Sequence, residues 1–252
     1  MQRIKSELLI EKINNLRKSN VSVFQTNYFF NELEKEIIFA ENKTSLIFLK
    51  REKNFYKLFY CTINFSDLEK LLINLPKKEI YLEIISKTEI DTDAYSLITK
   101  YFEYKTTYQK LYKKLQVTEN VTMPICKIDV DLIFDKLYST FDIRFEHLMD
   151  KTEFVELASQ GKVLTVYENN DLKSFLIYKQ QGTKAYLNQI ANYGSKNNLI
   201  TLWELFYQTL NANGIKYLDL WYDQQNKKAE NMYNIEQFQP LNMFNYCFEK
   251  LS

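Results

Sequence analysis

The apolar positions of this chain change period several times, and each change predicts an element. Between 129 and 138, Val130, Ile133, Phe134 and Leu137 recur at helical spacing. A second helix should start behind Asp150, with Glu153 at the reciprocal capping position and Gly161 as its stop. The stretches 163–167 and 172–179 flank Glu168-Asn169-Asn170-Asp171 and read as a hairpin. Gln180-Gln181-Gly182-Thr183 then turns the chain into a strand over 184–192. Leu199, Leu202, Trp203, Phe206 and Leu210 fall on one helical face that ends at Gly214. A buried-looking strand over 217–222, a short helix over 227–235 and an alternating strand over 243–250 complete this half. Two strands joined by a full helix run parallel with a right-handed crossover, whereas the final strand is expected to be antiparallel.

The first half repeats this grammar more faintly. Met1-Gln2-Arg3-Ile4-Lys5 leads into an amphipathic pattern. The stretches 44–50 and 55–62 form a hairpin around Arg51-Glu52-Lys53-Asn54, and a helix over 66–73 follows with Ser66 as its expected cap. A strand over 79–85, a helix over 93–101 and a terminal segment over 107–115 come next. The spacing Ala94 … Phe102 roughly parallels Ala229 … Phe238. A polar, β-branched connector, Val117-Thr118-Glu119-Asn120-Val121-Thr122-Met123-Pro124, divides the halves into domains 1–120 and 121–252. The alternative is one α/β domain with a helical and hairpin extension.

Composition narrows the classes. A chain of 252 residues with 46% hydrophobic positions has ample material for packed cores, and its 4 Gly and 3 Pro leave little room for flexible linkers. A net charge of +1 gives no global field for nucleic acid or an anionic membrane, and basic runs such as 110–114 read as solvated faces. No apolar run approaches the ~20 residues of a membrane span, and the start does not resemble a secretory signal. Cys61, Cys126 and Cys247 show no metal-ligand spacing and read as buried thiols in a reducing, cytoplasmic setting. No metal site, P-loop, dinucleotide fingerprint or nucleophile elbow is present in the sequence.

The order from Tyr186 to Phe248 resembles the C-terminal half of a GCN5-related N-acetyltransferase (GNAT) domain. The segments that carry the resemblance are Ala191-Asn192-Tyr193-Gly194-Ser195-Lys196-Asn197-Asn198, Gly214-Ile215-Lys216-Tyr217-Leu218-Asp219-Leu220, and Asn226-Lys227-Lys228-Ala229 … Tyr233 … Phe238. It implies a mixed α/β sheet flanked by helices, with the first half as a degenerate second copy. It further implies an acyl-coenzyme A cosubstrate, most simply acetyl-coenzyme A, held between the strands 184–192 and 217–222. Main-chain donors at Ile190, Ala191 and Asn192 would polarise the thioester carbonyl. The diphosphate would rest on the amides of Ser195, Lys196, Asn197, Asn198 and Leu199 at a helix start. The family's loop glycines are missing there, and Asn is the residue that best tolerates the open dihedrals they supply. The same stretch also reads as an ordinary helix cap by Ser195 or Asn197 with no ligand.

By family position Tyr233 protonates the departing thiolate, Asn226 caps its helix beside the pantetheine arm, and Ala229 is small where that helix nears the cofactor. Tyr233 equally reads as simple packing of helix on sheet. Gln237 replaces the glycine that usually precedes the residue at Phe238. On the acceptor side the resemblance points to 142–153, where Arg144 and the sole histidine, His147, fall together. An arginine fork suits a carboxylate or phosphate, though a surface Arg and an ordinary His fit the pattern as well. Glu146, Glu153 and Asp223 are alternative general bases.

The functional expectation is an N-acyltransferase acting on a primary amine of a small molecule, such as a nucleotide-linked amino sugar, as a monomer or homodimer. The alternatives are a module that kept the fold and lost the cofactor, and an aminoacyl-tRNA-dependent ligase relative, which the near-neutral charge disfavours.

Overall fold

The computed structural model describes residues 1–28, 36–116 and 128–251. The expected connector 117–124 and Cys126 lie outside the described residues. The chain forms two compact units, Met1–Tyr108 with Asn242–Ser252, and Gln109–Leu241. In chain order the elements are β1 (Gln2–Lys5), α1 (Ser6–Ser19), β2 (Gln25–Thr26), β3 (Glu36–Glu41), β4 (Ser45–Glu52), β5 (Phe55–Thr62), α2 (Phe65–Leu72), β6 (Ile80–Ser86), α3 (Thr92–Ile98) and β7 (Phe102–Lys114). They continue as α4 (Val130–Thr140), α5 (Lys151–Ser159), β8 (Val163–Glu168), β9 (Asp171–Gln181), β10 (Lys184–Asn192), α6 (Lys196–Ala212), β11 (Tyr217–Asp223), α7 (Lys227–Ile235) and β12 (Gln239–Lys250).

In the first unit the strand order is β1-β3-β4-β5-β6-β12, with β2 paired to β5. Helix α1 packs Leu9 and Ile13 with Phe39, Phe48 and Cys61. Helices α2 and α3 pack Leu68, Leu72, Leu97 and Ile98 with Ile47, Leu49, Leu58 and Leu82. Alternation along β4 therefore sends Phe48 to one core and Ile47 and Leu49 to the other.

In the second unit the order is β7-β11-β10-β9-β8. One core joins α4 and α5 through Ile133, Leu137, Phe154 and Leu157 to Phe175, Ile177 and Ala191. The other joins α6 and α7 through Leu202, Trp203, Phe206 and Tyr233 to Leu176, Leu187, Leu218 and Leu220. Truncating a ring such as Phe206 to alanine costs about 3–5 kcal/mol at a site of this burial.

The same order recurs in both units: antiparallel strands, a helix, a parallel strand, a short helix, a closing strand. The parallel ladders correspond, β5 with β6 over Tyr56↔Ile80 to Leu58↔Leu82 and β10 with β11 over Lys184↔Tyr217 to Leu187↔Leu220. The closing strands are exchanged. Strand β12, which follows α7, runs antiparallel to β6 in the first unit, and β7, which follows α3, neighbours β11 in the second. The compact units therefore change over inside strands, at 108/109 and 241/242, and not in the polar connector.

Local chemistry fixes the joints. The β8–β9 loop is only Asn169-Asn170, both at positive φ (52° and 65°), the type I′ geometry that asparagine tolerates. Asp150 caps α5 by accepting from the Glu153 amide, but the Glu153 carboxylate pairs with Lys179 at 2.5 Å instead of returning to the cap. Asn64, not Ser66, caps α2, accepting from the Ser66 and Asp67 amides, because the helix begins one residue earlier than the pattern implied. Helices α5 and α6 end in paired bonds beyond Gly161 and Gly214, Lys162 N to Leu157 O and Ile215 N to Leu210 O.

Candidate active site

The second unit opens where its two central parallel strands stop pairing. The β10–β11 ladder ends at Leu187↔Leu220, although β10 continues to Asn192 and β11 to Asp223. On its other side β10 pairs with β9 up to Asn192↔Ser174, with a register shift between Leu187 and Gln189 that leaves Asn188 as a bulge. A bulge adds twist and re-aims the strand. The divergence thus begins at Asn188, four residues before β10 ends at Asn192.

Alternation after the bulge sorts the side chains. Ile190 packs with the core that holds Tyr233, and Ala191 is buried with Phe175 and Phe154 on the opposite face. Gln189 is 3% exposed; its Nε2 donates to the Glu146 backbone oxygen at 3.2 Å, while among the described residues its Oε1 has no partner. The Asn188 Oδ1 is likewise buried without a partner among the described residues. Two acceptor oxygens without donors at one bulge are chemically conspicuous, because an unsatisfied buried polar group costs about 1–3 kcal/mol.

Tyr233 lies on α7, 5% exposed among Trp203, Tyr222 and Phe238, with ring centroids 6.4, 6.0 and 5.5 Å away. Among the described residues its hydroxyl has no hydrogen-bond partner. Burial, and secondarily the Glu146 carboxylate, push its pKa well above the ordinary phenol value. The phenol therefore stays protonated at any physiological pH. A phenol near pKa 10 is already a weaker acid than a thiol near 8.5, so full proton transfer to a thiolate runs uphill, and burial steepens it. A hydroxyl in this position serves as a hydrogen-bond donor to a developing thiolate more readily than as the source of its proton.

Asn226 caps α7, accepting from the Ala229 amide at 3.1 Å, and Ala229 and Met232 pack against the same core as Tyr233. The helix ends in the six-residue bond Phe238 N to Tyr233 O (3.0 Å), with Gln237 at φ 59° in the left-handed position. Gln237 thus makes the tight turn that a glycine would make, with the steric cost of a Cβ there, about 1–2 kcal/mol.

At the start of α6, Ser195 Oγ accepts from the Asn198 amide (3.4 Å) and the Asn198 Oδ1 accepts from the Ser195 amide (2.7 Å), a closed capping box. The amides of Tyr193 and Gly194 donate to the Lys173 backbone oxygen, at 2.7 and 3.1 Å. Asn192 Nδ2 donates to the Ser195 oxygen at 3.1 Å, and Leu199 packs inward on the core. The helix-start donors left over are those of Lys196 and Asn197, both exposed with the Lys196 side chain. Gly194 is required by close approach, because a Cβ there would collide with the Asn198 side-chain amide and stand 2.9 Å from Lys173 Cβ. The Asn198 side chain fills the space beside Gly194, and its Nδ2 donates to Glu168 Oε2 at 3.5 Å.

The acceptor candidates fall in the loop after α4. Arg144 is committed locally: its Nε donates to Asp142 Oδ1 at 2.8 Å and its Nη2 to Oδ2 at 2.5 Å, which holds the Asp142 carboxyl below the usual range. His147 takes positive φ (47°) in the same loop, beside Glu146. Of the three alternative bases, Glu153 is ion-paired to Lys179 and Asp223 accepts from the Gln225 amide in the turn before α7. Glu146 is the one whose charge reaches Tyr233. Asn188, Gln189 and Tyr222 were not visible as site residues, because a bulge has no sequence signature when it falls at an asparagine inside a regular strand. Among the described residues no group of three or more His, Cys, Asp or Glu side chains is placed to hold a metal ion, and no helix is long and apolar enough to cross a membrane.

This arrangement is the fold of the GCN5-related N-acetyltransferases. A GCN5-related N-acetyltransferase from Sphaerobacter thermophilus superposes with a TM-score of 0.55 at 9% identity, over 82% of this chain and 76% of that one. One from Kribbella flavida gives 0.50 at 11% identity, over 86% and 90%. A tandem GNAT protein from the clavulanic acid biosynthesis pathway gives 0.50 at 7% identity, over 82% and 78%. At these identities the likeness is one of fold. By sequence, no family pattern and no curated relative matches the chain.

Proposed function

We propose that the second unit is an N-acyltransferase centre that moves an acyl group, most simply acetyl, from a coenzyme A thioester to a primary amine of a small molecule. The observation that carries this reading is the fork after Leu187 and Leu220, with the Asn188 bulge beside it and Tyr233 in the apolar cluster that takes in Ile190 and Tyr222 from the two strands. A thioester arm rich in amides fits there: the buried, partnerless Asn188 Oδ1 accepts an amide N–H, and the backbone of Ile190–Asn192 offers strand donors. The diphosphate end fits more sparingly, on the Lys196 and Asn197 amides with the Lys196 ammonium.

In the reaction the amine nitrogen attacks the thioester carbonyl, and β10 N–H groups stabilise the oxyanion. The tetrahedral adduct breaks its carbon–sulfur bond, giving amide and thiolate. The nitrogen's proton passes to Glu146, directly or through water, while the Tyr233 hydroxyl donates a hydrogen bond to the leaving sulfur. The protein's contribution is orientation and charge placement, not a covalent intermediate. A nucleotide-linked amino sugar is the acceptor this reading favours, and Arg144 would have to share or exchange its pair with Asp142 to hold the sugar's phosphate.

A second reading, a binding module without the cofactor, is favoured by one observation: the capping box consumes the amides of Ser195 and Asn198. One experiment separates the two. About 1 mM acetyl-coenzyme A should raise the melting temperature, since a ligand bound only by the folded state stabilises it by mass action. A panel of primary amines should then release free thiol. No shift and no thiol release would leave the module reading.

A further inference from the structure

The first unit has the same fork, and something is already in it. Strand β5 pairs in parallel with β6 only over Tyr56 to Leu58, after which the short strand β2 takes over its free edge, Gln25↔Thr62 and Thr26↔Cys61. Between the two ladders sits Asn27, 5% exposed. Its Nδ2 donates to Leu58 O on β5 (2.9 Å) and to Glu83 O on β6 (3.0 Å), and its Oδ1 accepts from Tyr60 N (2.7 Å). Thr26 Oγ1 donates to Tyr60 O at 2.6 Å, and Tyr28 seals the segment against Phe48 and Phe59, with centroids at 5.1 and 5.6 Å. One carboxamide thus satisfies a donor and two acceptors that the separating strands expose.

We propose that residues 25–28 are a built-in occupant of the first unit's fork, standing where an amide-bearing arm would otherwise pair with β5, so that this unit is closed to coenzyme A and the chain offers at most one thioester site. The chemistry matches group for group. An arm with secondary amides would need the Tyr60 N–H as donor and the Leu58 and Glu83 oxygens as acceptors, and Asn27 uses all three. Leaving them bare would orphan three buried backbone groups, which is why the segment is held. The inference uses the fold of the fork and goes beyond the proposed activity, which concerns the second unit alone.

Amide hydrogen exchange on the intact protein tests it, with titration calorimetry of acetyl-coenzyme A. The Tyr60 amide should exchange slowly without ligand. Millimolar acetyl-coenzyme A should leave peptides covering 55–62 and 80–86 unchanged, and the stoichiometry should not exceed one per chain. In Asn27→Gly the Tyr60 amide should exchange about 5–150-fold faster, the range for losing a buried acceptor. Fast exchange in the free protein, ligand-induced protection of 55–62, two ligands per chain, or an unmoved Tyr60 amide in the variant would each overturn the proposal. Where the variant does not fold, the wild-type exchange pattern decides. A protein that binds no acetyl-coenzyme A while Tyr60 stays protected would refute the transferase reading and leave this one standing.

Discussion

Two forks of one design meet opposite fates in this chain. In the first unit β5 and β6 part after Leu58 and Leu82, and Asn27 rejoins them with three hydrogen bonds. In the second, β10 and β11 part after Leu187 and Leu220, and the loop 141–150 meets β10 where Gln189 Nε2 donates to the Glu146 backbone oxygen. The short helices differ in the same sense. Seven residues after the cap, α7 carries Tyr233, whose hydroxyl has no partner among the described residues, whereas α3 carries Ile98, 1% exposed in a plain apolar core. Among the described residues no segment pairs between β10 and β11 beyond Leu187 and Leu220, and the oxygens without partners, those of Asn188 and Gln189, lie at that point. The lesson is that duplicated architecture does not duplicate a site; a few hydrogen bonds decide which copy is available.

The largest effect should come from Tyr233→Phe. It should lower kcat about 100-fold, the usual worth of a positioned acid–base or donor group, with the Michaelis constant for acetyl-coenzyme A unchanged. Full turnover in that variant would erase the contrast with Ile98. Next, Glu146→Gln should cost about 10-fold or more in kcat and flatten the rise of rate with pH. Gln189→Leu should move the same parameters by less, since it acts through the loop, and an altered cofactor affinity instead would place Gln189 on the arm.

Alkaline pH should weaken the filled fork. Burial raises Cys61 to about 11 and Tyr60 further, with the Thr26 hydrogen bond partly offsetting the first. Both are raised, so their stabilisation is complete below the unfolded values near 8.5 and 10 and is lost as pH rises through the folded ones. Thermal melts from pH 8 to 11 should lose about 1.4 kcal/mol per pH unit once Cys61 begins to titrate in the unfolded chain, and Cys61→Ala should remove the onset below pH 10.

Gln237→Gly should stabilise the second unit by about 0.5–1 kcal/mol, the balance of relieved left-handed strain against added chain entropy. A lower melting temperature would mean that the Gln237 side chain holds something the turn geometry does not show. The smallest effect belongs to the phosphate end. Glu168→Gln should tighten acetyl-coenzyme A binding about 2–3-fold at low salt, fading as ionic strength screens the removed charge.

Helical periodicity placed α4, α6 and α7 within a residue or two, because amphipathic faces are written locally. The β8–β9 and β4–β5 hairpins were equally legible, since asparagine and lysine turns announce themselves between apolar runs. Strands β1 to β3 were not, because their meaning lies in partners far along the chain. Ser195 as a cap and Tyr233 on a buried face could be read directly. That Ser195 and Asn198 satisfy each other, that Arg144 belongs to Asp142, and that Asn188 bulges could not, because each depends on which neighbour arrives first.

By itself, then, the order of apolar and polar residues settled most helices and strands from β4 onward and the parallel crossover of the second half, all consequences of periodicity and short connections. Tertiary structure decided the rest: that closing strands β7 and β12 change places, and that Asn27 fills one fork while Asn188 and Gln189 keep bare oxygens at the other. Hydrogen-bond complementarity between segments distant in the chain has no period, so only the folded protein states it.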